Sequence, residues 1–391
     1  MKLHFFNPEH DIALATDVKR FTAPSAARQL RHDLGFLPAL WADDGDFVLV
    51  EDVDEAVRQS KSFGTLMAAV RFVSEDDLRR WVRAEKSLKN LEIEPWGWDW
   101  GVVETLTKAG LADFCPSEER LQTIRRLSNR KWAAENLLPA LRTRISWPTV
   151  GVSRYISDEN DLDFDEILHN ENAFESVSKI VLKSPWSSSG RGVRYAFNAT
   201  QFDRNLSWAR RVVEQQGGVM VEPFYEKIAD FAMEFDAKAD GSIVYKGLSL
   251  FVTNNGAYTG NLIASEREKR KILSEFVPEK VVEELREAIV ELLTPALQGR
   301  YSGPFGIDMM LVRNDSEKSG EKMDFALHPC VELNLRRTMG HAALAIPCDE
   351  TTPSRQMRID YTDRHRLTIV SVDRNPRFPS SAVQSAYSSP N

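Results

Sequence analysis

The hydrophobic period changes along the chain, and that change limits the folds open to it. Over residues 1–127 short apolar runs alternate with helical patterns. Leu3 to Phe6 reads as a buried strand, and Asn7-Pro8-Glu9 as a helix start with Asn7 as the N-cap. Pro24 to Leu34, closed by Gly35, reads as a helix and Phe47 to Val50 as a second strand. Strands alternating with helices predict an open, mostly parallel α/β sheet. Later the pattern is different. Phe231 to Asp236 alternates with the period of a half-buried antiparallel strand. Ile243 to Val252 continues as a strand after the Asp240-Gly241 turn. Phe305 to Val312 and Ala326 to Leu335 follow as strands, separated by a polar turn region from Asn314 to Glu321. Between them, Pro278 opens a helix whose Val281, Val282, Leu285, Ala288, Ile289, Leu292 and Leu293 form one apolar stripe.

Bulk properties narrow the function classes. A chain of 391 residues suggests two or three domains. The net charge of -8 disfavours nucleic acid as a partner, because phosphate backbones need a basic footprint. The three cysteines, Cys115, Cys330 and Cys348, are far apart, which argues against a disulfide framework or a thiolate zinc site. The opening MKLHFFNPEHD lacks the character of a secretory leader, and no run of apolar residues reaches membrane-spanning length. A cytoplasmic protein without a membrane partner is expected. The aromatic knot of Trp96, Trp98 and Trp100 reads as packing between domains. The Ser- and Pro-rich tail after Asn375 has a composition expected to be disordered.

Two local patterns carry chemistry. In Val181-Leu182-Lys183-Ser184-Pro185-Trp186-Ser187-Ser188-Ser189-Gly190-Arg191-Gly192-Val193 a strand delivers Lys183, a loop of small residues follows, and a strand resumes. Small residues let backbone N–H groups approach phosphate oxygens, and the serine hydroxyls add donors. The alternative is a β-hairpin turn with an incidental lysine. Neither a Walker A loop nor a dinucleotide fingerprint is present. The second pattern is a carboxylate set. Glu332 and Asn334 are two apart on a strand and share a face, and Asp308 interrupts the otherwise apolar Gly306-to-Val312 strand. A lone acid in such a strand costs free energy unless a cation or donors compensate it. Two carboxylates and an amide oxygen are hard ligands suited to magnesium shared with phosphates. The alternative is a pair of rim acids salt-bridged to Arg336 or Arg337.

Taken in order, Lys131, Lys183 with its Ser/Gly loop, Glu222, Asp308 and Glu332-x-Asn334-x-Arg336 resemble the ATP-grasp superfamily over residues 128–345. Residues 1–127 resemble the α/β domain that precedes the ATP-grasp part in many of its members. The resemblance implies an open α/β domain at 1–127 followed by a two-subdomain ATP-grasp fold, with subdomains at 128–218 and 219–350 and a C-terminal extension at 351–391. It implies ATP as ligand, with Mg2+ expected as two ions. Lys131 and Lys183 match the ATP-contacting lysines, and Ser187, Ser188, Ser189, Gly190 and Gly192 the loop closing over the phosphates. Glu222 and Phe224 match the hinge against adenine, and Asp230 the acid that holds the ribose. Asp308, Glu332 and Asn334 match the metal ligands, and Arg336 an arginine near the acyl phosphate. The family's arginine two residues before the first metal acid is Gly306 here, so Arg337 becomes a candidate for the substrate side.

The activity so implied is a ligase joining a carboxylate to an amine through an acyl phosphate, on small molecules or peptides. A kinase acting on a hydroxyl and a non-catalytic ATP-binding protein are the alternatives; a homo-oligomer is left open. Asn255 and Tyr258, in the polar stretch from Thr253 to Asn261, are candidate substrate residues. His341 reads as structural, and the run from Glu266 to Lys271 as a solvated helix face.

Overall fold

The protein is described here by a computed structural model covering residues 1–85, 88–169, 178–187, 190–254, 257–314 and 324–372. The first unit is a four-stranded parallel sheet of β1 (Lys2–Phe5), β2 (Phe47–Leu49), β3 (Arg71–Val73) and β4 (Glu92–Pro95), in the order β3-β2-β1-β4. Around it run α1 (His10–Thr16), α2 (Ser25–Leu34), α3 (Val53–Ser62), α4 (Glu75–Ala84), α5 (Trp100–Lys108) and α6 (Glu118–Leu127). Four of these helices begin on a side-chain cap, supplied by Asp52, Ser74, Asp99 and Ser117, which satisfies a first-turn N–H.

Asn7 is not the cap expected for α1. Glu9 holds that position, and the Asn7 amide instead donates to the Gly97 carbonyl and to Asp99 Oδ2, both at 2.8 Å. Those acceptors lie just past β4, so a tertiary bond across neighbouring strand ends displaces the local one. Trp96 packs edge-on against Phe6 with ring centroids 5.0 Å apart, in the cluster that also takes Ile263, Ala342 and Met357 from the far end of the chain.

The second unit starts with α7 (Arg130–Trp132), which passes through a π turn at Ala133–Leu137 into α8 (Leu138–Arg144). Its sheet is antiparallel, β5 (Arg154–Ile156), β6 (Ile180–Lys183), β7 (Val193–Ala196) and β8 (Val219–Pro223), in the order β5-β8-β6-β7. Beside it lie α9 (Phe164–His169) and α10 (Ala199–Gln216), which stops at Gly217 in the left-handed region with φ 80°.

The third unit is a seven-stranded sheet of β9 (Lys227–Ala237), β10 (Ile243–Asn254), β11 (Ala257–Ile263), β12 (Gly303–Arg313), β13 (Phe325–Asn334), β14 (Arg355–Tyr361) and β15 (His365–Ser371). Its order is β13-β12-β9-β10-β11-β14-β15. The helices are α11 (Glu266–Ser274), α12 (Glu279–Leu297) and α13 (Met339–Leu344). Phe231, Met233, Phe235, Phe305, Ile307, Met309 and Leu311 share one core with the apolar stripe of α12. The pleat therefore turns their neighbours Asp230, Ala232, Glu234, Gly306, Asp308 and Met310 to the opposite face.

Three expectations change here. The stretch from Thr253 to Asn261 is not a long loop: β10 reaches Asn254 and β11 resumes at Ala257. β14 and β15, from the expected C-terminal extension, pair onto β11 and widen the sheet, while the Ser/Pro tail lies outside the described residues. The charged run on α11 is not wholly solvated, because Lys269 is 3% exposed with its Nζ on the Leu248 carbonyl at 2.7 Å. Periodicity marks a helix face; it does not say when a sheet edge will cover that face. Among the described residues no helix is long and apolar enough to cross a membrane.

Candidate active site

Asp308 and Glu332 are register partners on β12 and β13, so their carboxylates share the cleft face of the sheet. Asn334 closes the group, with Nδ2 donating to Asp308 Oδ2 at 3.2 Å. Burial first, and then the like charges of Glu332 and Glu234, push the Asp308 carboxyl well above the usual range; Arg336 and the Asn334 amide oppose them. A half-buried acid in this state calls for a cation, and the oxygen-rich donor set fits magnesium. Among the described residues no group of three His, Cys, Asp or Glu is gathered as a metal cage. Two carboxylates and an amide suit a metal that takes the rest of its shell from phosphate and water.

Facing this set from the second unit is Lys183, at the end of β6 and 9% exposed, with Nζ 2.5 Å from Glu222 Oε2. Glu222, on β8, also accepts from Ser153 Oγ at 3.3 Å. The cation nearest the metal acids on α7 is Arg130 rather than Lys131. Arg130 is 8% exposed; it donates to Glu332 Oε1 at 2.7 Å, to Ser187 Oγ at 2.8 Å and to the Ser184 carbonyl at 2.6 Å. Lys131 turns outward over the Tyr155 ring, 4.2 Å from its centroid. The reason is helical: Asn129 caps α7, and successive side chains point about 100° apart, so only one of the two basic residues can aim into the cleft.

The Ser/Gly loop returns on itself through Ser184 N–H to the Gly192 carbonyl at 2.8 Å. Gly192 has no room for a side chain, since a Cβ there would lie 2.4 Å from Ser187. Gly190 sits at φ 70°, a conformation that favours glycine. Ser188 and Ser189 lie outside the described residues, as does Asn255.

Past β8, Phe224 stacks edge-on against Phe197 with centroids 5.0 Å apart, and its N–H donates to the Lys179 carbonyl. Asp230 takes Lys227 Nζ at 2.5 Å and Thr253 Oγ at 2.7 Å. Tyr258 is on β11 rather than in a loop, and its hydroxyl donates to Asn261 Oδ1 at 2.6 Å.

Arg336 lies past the end of β13, which stops at Asn334, so it does not share the strand face of Glu332 and Asn334. Arg336 instead grips Asp11 of the first unit, with Nε 3.0 Å and Nη2 2.8 Å from Oδ2. Arg337 packs over Trp41, 4.6 Å from the ring centroid, and its N–H donates to the Trp96 carbonyl. Both arginines thus tie the end of the metal strand to the parallel sheet. The charges of Asp308 and Glu332 still act on Arg336, so it remains a neighbour of the acids.

Asp11 follows β1 with Asn7 and Glu9, a place from which the sequence lets all three face the cleft; its partner Arg336 is set by the tertiary structure. Two further groups at the site were not legible in the sequence. One is Arg130, the neighbour of Lys131. His328, on β13, is 2% exposed with neither ring nitrogen hydrogen-bonded; burial and then the charges of Lys183 and Arg142 push it down to about 3, so it is neutral. The period-two spacing of His328, Cys330, Glu332 and Asn334 was the available signal for His328.

No protein-family model matches the sequence, and no curated protein does. Solved structures do resemble it. N5-carboxyaminoimidazole synthetase from Staphylococcus aureus, complexed with ADP, is 11% identical, with a TM-score of 0.46 over 92% of this chain and 82% of that one. The biotin carboxylase domain of 2-oxoglutarate carboxylase from Hydrogenobacter thermophilus, with MgADP and bicarbonate, is 14% identical at a TM-score of 0.48, over 92% of this chain and 74% of that one. A protein assigned to the ATP-grasp superfamily, from Archaeoglobus fulgidus, is 16% identical at 0.40, over 95% of this chain and all of that one, 100%.

A parallel α/β unit is followed by two antiparallel sheets, the first bearing Lys183 and its loop, the second the acid pair. Arg130, bonded at once to the Ser/Gly loop and to Glu332, spans the cleft between the two antiparallel sheets.

Proposed function

We propose that the protein is an ATP- and magnesium-dependent ligase that activates a carboxylate as an acyl phosphate for attack by an amine. The observation that carries this reading is the in-register Asp308–Glu332 pair with Asn334 beside it, set opposite the buried Lys183. Asp308, Glu332 and Asn334 would hold magnesium, which neutralises phosphate charge when bound. Lys183, Arg130 and Ser187 bind the phosphates; Glu222, Phe224 and Asp230 line the nucleoside side. Residues 128–218 and 219–350 form the two jaws, and residues 1–127 close the substrate end through Asp11 and Arg336.

In the first step a substrate carboxylate oxygen attacks the γ-phosphorus and ADP leaves. In the second the amine nitrogen attacks the acyl carbon, inorganic phosphate leaves, and the nitrogen loses a proton. This chemistry needs positioning and charge neutralisation more than a protein nucleophile. Phosphate release measured over a matrix of carboxylic acids and amines tests the reading. A ligase requires one of each, and Glu332→Ala abolishes the release while the protein stays folded. Turnover that needs a single alcohol and leaves a stable phosphorylated product would make the protein a kinase.

A further inference from the structure

β11 pairs with β10 only from Phe251 onward, so the backbone of Leu248 has no strand on that side. The first turn of α11 answers it. Glu266 Oε2 accepts the Leu248 N–H at 3.0 Å, and Lys269 Nζ donates to the Leu248 carbonyl at 2.7 Å. Gly247, at φ 145°, keeps the approach open, since a Cβ there would lie 3.0 Å from Leu344 and 3.3 Å from Glu266 Oε2. The Lys269 ammonium has three N–H donors. The second faces Glu266 Oε2 at 3.4 Å, which leaves a third. Burial pulls this ammonium below the ordinary lysine value, and Glu266 opposes it.

A cavity of about 270 Å³ opens beside that ammonium, between α11 and α13. Leu248, Leu262, Ile263, Ala343 and Ile346 give it apolar walls, and Lys269 and Cys348 also line it. At roughly 30 Å³ per water molecule the space holds about nine waters, room for an acid of about four to six carbons.

The charges around the cavity do not cancel. Among the described residues Glu266 is the one carboxylate in its lining, and it already accepts the Tyr245 hydroxyl at 2.7 Å as well as the Leu248 N–H. Glu234, whose charge also reaches Lys269, is paired with His341 at 3.0 Å. Against Glu266 stand two cations, Lys269 and Arg355. Arg355 gives Nη2 to the carbonyl of Pro347, another lining residue, at 2.7 Å, and its Nε is buried with no acceptor. Burial pushes the Cys348 thiol up, while the charges of Arg355 and Lys269 pull it down, so both cations stand near that wall. The balance there is positive, beside an apolar space.

We propose that this cavity binds a short aliphatic monocarboxylate, its carboxylate on Lys269 and Arg355 and its hydrocarbon tail on the leucine and isoleucine walls. Neither Asp308 nor Glu332 lines the cavity, so the bound acid is not the reacting carboxylate. α13 follows β13 by the short link that carries Arg336 and Arg337, which ties the metal strand to the first unit. An acid wedged against α13 bears on that link and acts as an effector. The binding site does not rest on the ligase reading.

Calorimetry on the full-length protein tests it, with the sodium salts of butyrate, 3-methylbutanoate and hexanoate titrated separately. At least one should bind without nucleotide, and its amide roughly tenfold or more weakly, because the amide brings no charge to the two cations. Lys269→Met should weaken the acid by a similar factor. Since Lys269 also fastens Leu248, Ala343→Leu, which narrows the cavity and keeps both cations, gives an independent loss. A further measurement needs no variant. Cys348 is partly exposed, so the bound acid should slow its alkylation, while Cys115, outside the cavity, keeps its rate. Glu332→Ala should bind the acid as the wild type does, and saturating acid should shift the affinity for AMP-PNP with Mg2+ by about fivefold or more. If no acid binds and Cys348 is never protected, the site is wrong. Equal affinity for acid and amide would overturn the carboxylate assignment. Binding that is lost in Glu332→Ala and leaves Cys348 unprotected in the wild type would place the acid at the reaction centre instead. An unchanged AMP-PNP affinity would overturn the effector role, and a failure of AMP-PNP to bind would count against the nucleotide reading while the acid site stands.

Discussion

Asp308→Asn should make the metal-free protein more stable than the wild type. Directly opposed residues on antiparallel strands have Cβ atoms about 5 Å apart, and Asp308 and Glu332 are such a pair. Two unit charges at about 5 Å repel by about 3 kcal/mol at an effective dielectric of about 20. Arg130 on Glu332 and Arg336 near Asp308 take back part of this, which leaves a gain of about 1–2 kcal/mol on removing the charge. For a cooperative unit of about 150 residues, that is a rise in Tm of about 3–6 °C. The pH dependence has a definite sign. The folded-state value of Asp308 lies above its unfolded value, so protonated Asp308 favours the fold at low pH. That contribution is lost as pH rises through the folded value. The advantage of the asparagine variant is therefore largest at neutral pH and shrinks on acidification. Magnesium with AMP-PNP should reverse the order, since the wild type gains a charged ligand and the variant does not. Differential scanning calorimetry in EDTA, and then in magnesium with AMP-PNP, measures both. A variant no more stable than wild type in EDTA at neutral pH would refute the repulsion argument.

Two further substitutions separate neighbouring cations. Arg130→Ala should weaken AMP-PNP binding at least tenfold, with Lys131→Ala changing it less than twofold; the reverse order by calorimetry would return the phosphate role to Lys131. Arg336→Ala strips the partner from Asp11, a carboxylate with 11% side-chain exposure, and should cost about 3–5 kcal/mol of stability by denaturant titration. Its turnover should fall by about two to three orders of magnitude if the guanidinium also serves the transferred phosphoryl group, and a loss of stability alone would confine Arg336 to holding the first unit in place.

What the chain determines locally was legible in its sequence. The switch from strand–helix alternation to period-two strands placed the parallel unit and the antiparallel sheets, because side-chain periodicity is a property of a single element. The same local geometry put Asp308, Glu332 and Asn334 on one face. Tertiary structure decided what each polar group meets. Asn7 left its helix cap for Asp99, and Arg336 met Asp11 across 325 positions of sequence. Arg130, not Lys131, entered the cleft because the cap at Asn129 set the rotation of a short helix. Burial of Lys269, and of Glu234 against His341, arises where helices and two glycines meet the sheet. No period in the sequence encodes such meetings, since they depend on how separately legible elements pack.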